Sequence, residues 1–181
     1  ALDGTIANVA LPSIQGSLSA TQEQVSWVVT SYIVASAIMT PLAGFSATRF
    51  GLRRTLSVCV IGFTIVSMLC GAAQTLDQLV LFRALQGGFG AALVPVSQAI
   101  MMDTYPREEQ GKAMAMWGVG TMLGPIAGPS LGGWLTDEFT WRWVFYVNLP
   151  VGILCTLGIL ALVRDSVHDR PRRFDLLGFT L

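Results

Sequence analysis

Charge is scarce in this chain. Asp, Glu, Lys and Arg make up 12% of its 181 residues, against 52% hydrophobic residues, and the mean hydropathy is clearly positive. A soluble domain of this size needs more charge to cover its surface. The few charges are also bunched. None occurs between Glu23 and Arg49, Arg54 and Asp77, Arg83 and Asp103, Lys112 and Asp137, or Arg142 and Arg164. Each gap is close to the roughly 20 residues a helix needs to cross the hydrocarbon core. One such gap would fit a buried helix. Five in succession specify an all-α, polytopic integral membrane protein.

Other absences narrow the function. There is no Walker A loop, no HExxH, no GxSxG and no Cys/His cluster, so ATP-driven work and the familiar hydrolytic chemistries find no support. The chain reads as a non-enzyme without cofactor or metal. Cys59, Cys70 and Cys155 lie inside apolar stretches without ligand spacing and read as small apolar side chains. The one histidine, His168, sits in a charged stretch and reads as solvated. A net charge of zero gives no sign of a nucleic-acid partner. The first residues lack an initiator Met and a basic start, and the expectation is that they are not a signal peptide. The expectation is a fragment truncated at both ends, with its first span cut near the middle.

The apolar stretches predict spans at 1–18, 25–47, 55–73, 77–101, 113–135 and 142–163, with a seventh starting near 174. That gives a six-helix bundle over 1–163, a linker at 164–173 and the start of another span at 174–181. Arg49, Arg53 and Arg54 follow the second span, Arg107 and Lys112 the fourth, and Arg164, Arg170, Arg172 and Arg173 the sixth. The opposite loops hold Arg142 beside Glu23, Asp77, Asp137 and Glu138. The positive-inside rule therefore makes the loops after even-numbered spans cytoplasmic. Trp27, Trp141 and Trp143 fall at the proposed outer boundary, where indole rings favour the interface.

What is abundant is glycine, above all in GTMLGPIAGPSLGG (120–133), within a run free of charge from Ala113 to Thr136. Gly120, Gly124, Gly128 and Gly132 recur every fourth residue and form one nearly bare helical ridge, which admits close approach of another backbone. Pro125 and Pro129 each delete a backbone bond and predict a kinked or locally open helix. Gly133 closes the run.

Two charges stand inside apolar spans. A carboxylate at Asp3 is costly unless it faces a cavity or a partner. It suits a proton-carrying site, with a position at the membrane surface as the alternative. Arg83 lies about one and a half turns into the fourth span. It either snorkels to the headgroups or faces the bundle as a fixed positive charge beside an acid or a substrate anion. Gln86, Gly87 and Gly90 share its helical side. GFSATRFGLRR (44–54) places Gly44, Arg49, Gly51, Arg53 and Arg54 in a tight turn, whose arginines the positive-inside rule alone would also explain. Asn8, Gln98 and Asn148 suit interhelical hydrogen bonds, with substrate contact second. Met101, Met102, Met114 and Met116 suit packing or lipid contact.

These motifs together resemble the N-terminal half of a major facilitator superfamily transporter. LDGTIANVALP (2–12) resembles the first-span motif of the fourteen-helix drug:proton antiporters of the EmrB/QacA type. GFSATRFGLRR resembles the superfamily's loop motif, LFRALQGGFGAA (81–92) its fourth-span motif with a membrane arginine, and GTMLGPIAGPSLGG the fifth-span antiporter motif. WRWVFYVNLPVG (141–152) and FDLLG (174–178) resemble the entries into spans six and seven. The loop motif departs at Thr48, where the family has an acid that pairs with an arginine. The short linker favours fourteen helices over twelve, because twelve-helix members usually carry a long loop after span six.

The resemblance implies a bundle of two three-helix inverted repeats, with substrate at the interface with a missing C-terminal half. It implies Asp3 as the membrane-embedded acid linked to proton coupling, Arg83 as the arginine tied to proton transfer, and Gly124, Pro125, Gly132 and Gly133 as a flexible seam that controls leakage. The implied function is proton-coupled export of small lipophilic or cationic compounds across a bacterial inner membrane. Implied partners are the lipid bilayer, a periplasmic adaptor and an outer-membrane channel. The alternatives are a twelve-helix exporter of a sugar, amino acid or siderophore, a non-transporting sensor on the same fold, and a membrane-embedded enzyme whose nucleophile or metal site lies in the missing half.

Overall fold

A computed structural model describes residues 2–163; the expected linker at 164–173 and seventh span at 174–181 lie outside the described residues. All eight elements among the described residues are helices: α1 (Leu2–Ser17), α2 (Gln22–Phe50), α3 (Leu52–Ala72), α4 (Leu76–Gly90), α5 (Leu93–Thr104), α6 (Gln110–Glu138), α7 (Trp143–Tyr146) and α8 (Asn148–Leu162).

Their ends follow from local sequence. Thr21 caps α2 reciprocally: Gln24 N donates to its Oγ1 at 3.2 Å, and Thr21 N donates to Gln24 Oε1 at 3.0 Å. This capping box satisfies donors that a helix start leaves orphaned. Thr75 caps α4 by accepting Gln78 N at Oγ1 at 3.3 Å, while Gln78 Oε1 accepts from Gln74 N at 3.0 Å. Between α2 and α3 the chain turns on Gly51 alone, at φ 89°, where a side chain would be strained.

The arginine segment 48–54 is helical apart from Gly51, with Arg49 in the last turn of α2 and Arg53 and Arg54 in the first turn of α3. The fourth span keeps helical backbone through Ala91 and Ala92, where α4 passes into α5, and so does the sixth through Val147, where α7 passes into α8. Pro150 accounts for the gap in the hydrogen-bond ladder at the second junction. It has no amide hydrogen to offer the carbonyl of Tyr146, and it is tolerated in the first turn of α8. The fifth span, α6, stays helical through Pro125 and Pro129 rather than opening.

Four stretches are long and apolar enough to cross a membrane: Gln22–Phe50, Leu52–Ala72, Leu76–Thr104 and Trp143–Leu162. The expected first span has 16 residues as α1, and α6, at 29 residues, is diluted by seven glycines and two prolines. α2 packs on α4, α1 on α6, and α3 on both α4 and α8. One apolar cluster joins Ile6, Ile14, Val25, Val28, Leu79 and Phe145. A smaller one joins Ala43, Leu56, Ala92, Val96 and Ile159 at the Gly51 end. Large apolar side chains also cover the outside, including Ile33, Met116, Ile126 and Leu154, as a bilayer or a further helix layer requires.

Trp141 departs from its expected interfacial place. It is buried against Phe145, ring edge to ring face at 6.2 Å, whereas Trp27 and Trp143 are exposed.

Candidate functional site

The two charges of the apolar spans meet. Arg83 Nη1 lies 2.7 Å from Asp3 Oδ2, with the two side chains 1% and 7% exposed. Snorkelling of Arg83 is thereby excluded, and so is a surface position for Asp3 within this bundle. Arg83 reaches the pair from seven residues inside α4, about 10 Å along the helix.

The approach of α2 makes this reach available. A Cβ on Gly87 would stand 2.3 Å from the Tyr32 carbonyl oxygen, so only glycine lets α4 lie against α2 there. One turn earlier on α2, the Val28 carbonyl accepts Arg83 Nε at 3.1 Å. The guanidinium lies over the Tyr32 ring at 4.4 Å and near Phe145 at 5.7 Å, contacts that favour a desolvated cation. Gln86, one turn after Arg83 on the same face, accepts Arg83 Nη1 at 2.7 Å through Oε1.

The carboxylate is matched on its other side. Asp3 Oδ1 accepts Gln86 Nε2 at 3.2 Å and Asn148 Nδ2 at 2.8 Å. Asn148 Nδ2 also donates to Ser67 Oγ at 2.9 Å, and the Ser67 hydroxyl donates to the Phe145 carbonyl at 2.9 Å. Residues of α1, α3, α4, α7 and α8 thus share one buried polar network. An ionised carboxylate can only accept, and here it meets three donors. Removing the charge of Asp3 would leave Arg83 as an uncompensated buried charge.

The glycine ridge is used in part. A Cβ on Gly128 would lie 2.1 Å from Thr5 Oγ1, and one on Gly132 would lie 3.2 Å from Ile6 Cα. Thr5 Oγ1 donates to the Gly124 carbonyl at 3.4 Å. This half of α6 therefore holds α1, and with it Asp3, by direct backbone approach. Gly120 and Gly133 have nothing near the Cβ position, so the ridge is not one continuous contact; Pro125 and Pro129 are exposed.

The loop-motif residues stand apart, at the other end of the bundle. Arg53 Nη2 donates to the Leu160 carbonyl at 2.7 Å, Arg49 lies over Phe50, Arg54 is exposed, and Gly44 faces open space. Thr48 turns its hydroxyl back to the Phe45 carbonyl of its own helix at 2.8 Å. Ser67 and Tyr32 carried no sequence signal, since a serine or tyrosine in an apolar run is ordinary. Asn148 belongs to the network, whereas Asn8 is exposed and Gln98 is half-buried.

Comparison with known proteins gives the family and the fold. A family model described as Major Facilitator Superfamily matches residues 1–176. The chain is 44% identical over 183 residues to the multidrug export protein EmrB of Haemophilus influenzae, covering 99% of this chain and 36% of that protein. It is 44% identical over 153 residues to the fatty acid resistance protein FarB of Neisseria gonorrhoeae, covering 84% of this chain and 30% of that protein. In fold it is similar to a bacterial homologue of the human lysosomal transporter Spinster, solved inward-facing and unoccupied. The TM-score is 0.71 at 23% identity, over 97% of this chain and 43% of that one. The chain spans about a third of the length of these curated relatives.

Proposed function

The chain belongs to the major facilitator superfamily as a multi-pass membrane protein, and on that premise we propose that it forms the N-terminal bundle of a proton-coupled exporter. Its substrates would be small lipophilic or cationic compounds moved out of the cytoplasm. The observation that carries this reading is the buried Asp3–Arg83 pair at 2.7 Å.

In this reading Asp3 alternates between an ionised form, held by Arg83, Gln86 and Asn148, and a protonated form that releases Arg83. The difference in contacts biases two arrangements of the bundle, and a proton gradient supplies the bias from one side. A potential of 100 mV adds roughly 2.3 kcal/mol for each charge moved. The α1–α6 contact at Gly128 and Gly132 forms the seam next to the carboxylate. Loops after even-numbered spans face the cytoplasm, and the membrane is the bacterial inner membrane. The names of the multidrug export relatives support the substrate class. The family resemblance supports a periplasmic adaptor and an outer-membrane channel as partners in a cell with two membranes.

The test is accumulation of a lipophilic cationic dye by cells lacking their own efflux pumps and expressing the full-length gene. Wild type keeps accumulation low, and an uncoupler or Asp3→Asn raises it severalfold. Equal accumulation with and without uncoupler, over a panel of cationic and neutral lipophilic dyes, refutes proton-driven export of this class.

A further inference from the structure

The sixth span keeps helical backbone through Val147 (φ −59°, ψ −23°), but its hydrogen-bond ladder has a break there because Pro150 cannot donate to Tyr146, and Asn148, next to that break, is buried. Its amide nitrogen has two hydrogens, and both are spent: one on Asp3 Oδ1 at 2.8 Å, one on Ser67 Oγ at 2.9 Å. The Ser67 hydroxyl then closes onto the carbonyl of Phe145, on the other side of the break. A single chain of hydrogen bonds thus runs from the Asp3 carboxylate to both halves of the sixth span. Its polarity is fixed at one end, because an ionised carboxylate cannot donate.

We propose that Asn148 is a positioning residue that ties the α7–α8 break to the charge state of Asp3. While Asp3 is ionised, Asn148 must present its amide hydrogens, Ser67 must accept from it, and the serine proton must go to Phe145. A proton on Oδ1 makes that oxygen a neutral hydroxyl, a weaker acceptor with a hydrogen of its own to place, and the Asn148 bond loses its charge assistance. Asn148 then rotates its amide or leaves, Ser67 loses its donor, and the tether on Phe145 slackens. The break, already lacking one backbone bond because of Pro150, is the place where the sixth span gives way. This inference rests on the proposed proton coupling at Asp3 and extends it to a second mobile element.

The other charged or titratable groups at the cluster are few. Arg83 comes from α4, Tyr32 of α2 lies beneath its guanidinium, and Cys70 of α3 sits 3.7 Å from Gln86 Oε1. The charged residues of α6 (Lys112, Asp137 and Glu138) are exposed, as is Glu23 of α2; Arg142 is turned to the end of α3; and α7 and α8 carry no charge.

The experiment is infrared spectroscopy of the Asp3 carboxylate stretching band in the full-length protein in lipid, assigned by its loss in Asp3→Asn, together with amide hydrogen exchange at 143–150, for wild type, Asn148→Ala and Ser67→Ala. Removing a donor from Oδ1 changes the hydrogen bonding of the carboxylate. The band should therefore shift in Asn148→Ala and by less in Ser67→Ala, and exchange at 143–150 should quicken in both. Ser67→Ala keeps the test open if Asn148→Ala fails to fold. A band and exchange equal to wild type in either folded variant overturn the proposal. The band reads Asp3 directly, so a shifted band in a protein without dye export would sustain the Asn148 contact while refuting the transport reading. Intact export with an unshifted band would do the reverse.

Discussion

Asp3 and Arg83 lie eighty positions apart in sequence and 2.7 Å apart in space, joined through Arg83 Nη1 in a site nearly closed to solvent. Removing one partner of such a pair leaves the other charged and buried, at a cost of about 3–5 kcal/mol; removing both costs much less. Arg83→Met and Asp3→Asn should each lower the thermal unfolding midpoint of the purified protein. The double variant should recover most of the loss. Additive losses would mean that Gln86, Asn148 and the Val28 carbonyl, rather than the pair, hold the site together.

How much of this was legible beforehand differs residue by residue. Asp3 and Arg83 stood out because a charge in an apolar run is rare for an energetic reason. Their contact did not, since nothing in α1 or α4 alone sets the rotation of one helix against the other. Gly87 sets part of it, through the Tyr32 carbonyl. Membrane-crossing helices were readable from gaps between charges, and hydropathy runs unchanged across Ala91, Ala92 and Val147, where the helical backbone also continues. Ser67 was invisible, because its role exists only once α3, α7 and α8 converge.

The glycine ridge offers a second test, because its residues share a spacing but not a surrounding. Gly128→Ala drives a Cβ to 2.1 Å from Thr5 Oγ1 and 2.8 Å from Thr5 Cβ, so α1 and α6 must part. The expected loss is about 1–3 kcal/mol, the range for overpacking a fitted contact. Thr5→Ala in the same chain should restore part of it by removing the hydroxyl. Gly120→Ala meets open space and exchanges glycine for a better helix former, so it should be neutral or stabilising by up to about 1 kcal/mol. Thermal midpoints of the three variants separate these outcomes. Equal losses at Gly120 and Gly128 would mean that helix flexibility, not close approach, is what the glycines supply.

Arg142 does a job that its place in a loop disguises. Its Nη1 donates to the carbonyls of Gly71, at 2.8 Å, and Ala73, which lie at the C-terminal end of α3. Those carbonyls lack helical partners and sit at the negative end of the helix dipole, so a cation there satisfies both hydrogen bonding and charge. The guanidinium also lies over Trp141 at 4.6 Å, and the Tyr146 ring presses on Gly71. Arg142 therefore fastens the end of α3 to the start of the sixth span, next to the segment that Asn148 tethers from the other side. Arg142→Ala should cost about 2 kcal/mol, the scale of a hydrogen bond to a charged group. Arg142→Lys should recover only part, because an ammonium cannot stack on the indole as a planar fork does. Hydrogen exchange gives the sharper reading. Amide exchange in Arg142→Ala should quicken at 70–76 and 141–147 and stay as in wild type along α2 and α6. Acceleration spread evenly over all helices would instead make Arg142 a contributor to general stability, with no particular hold on the end of α3.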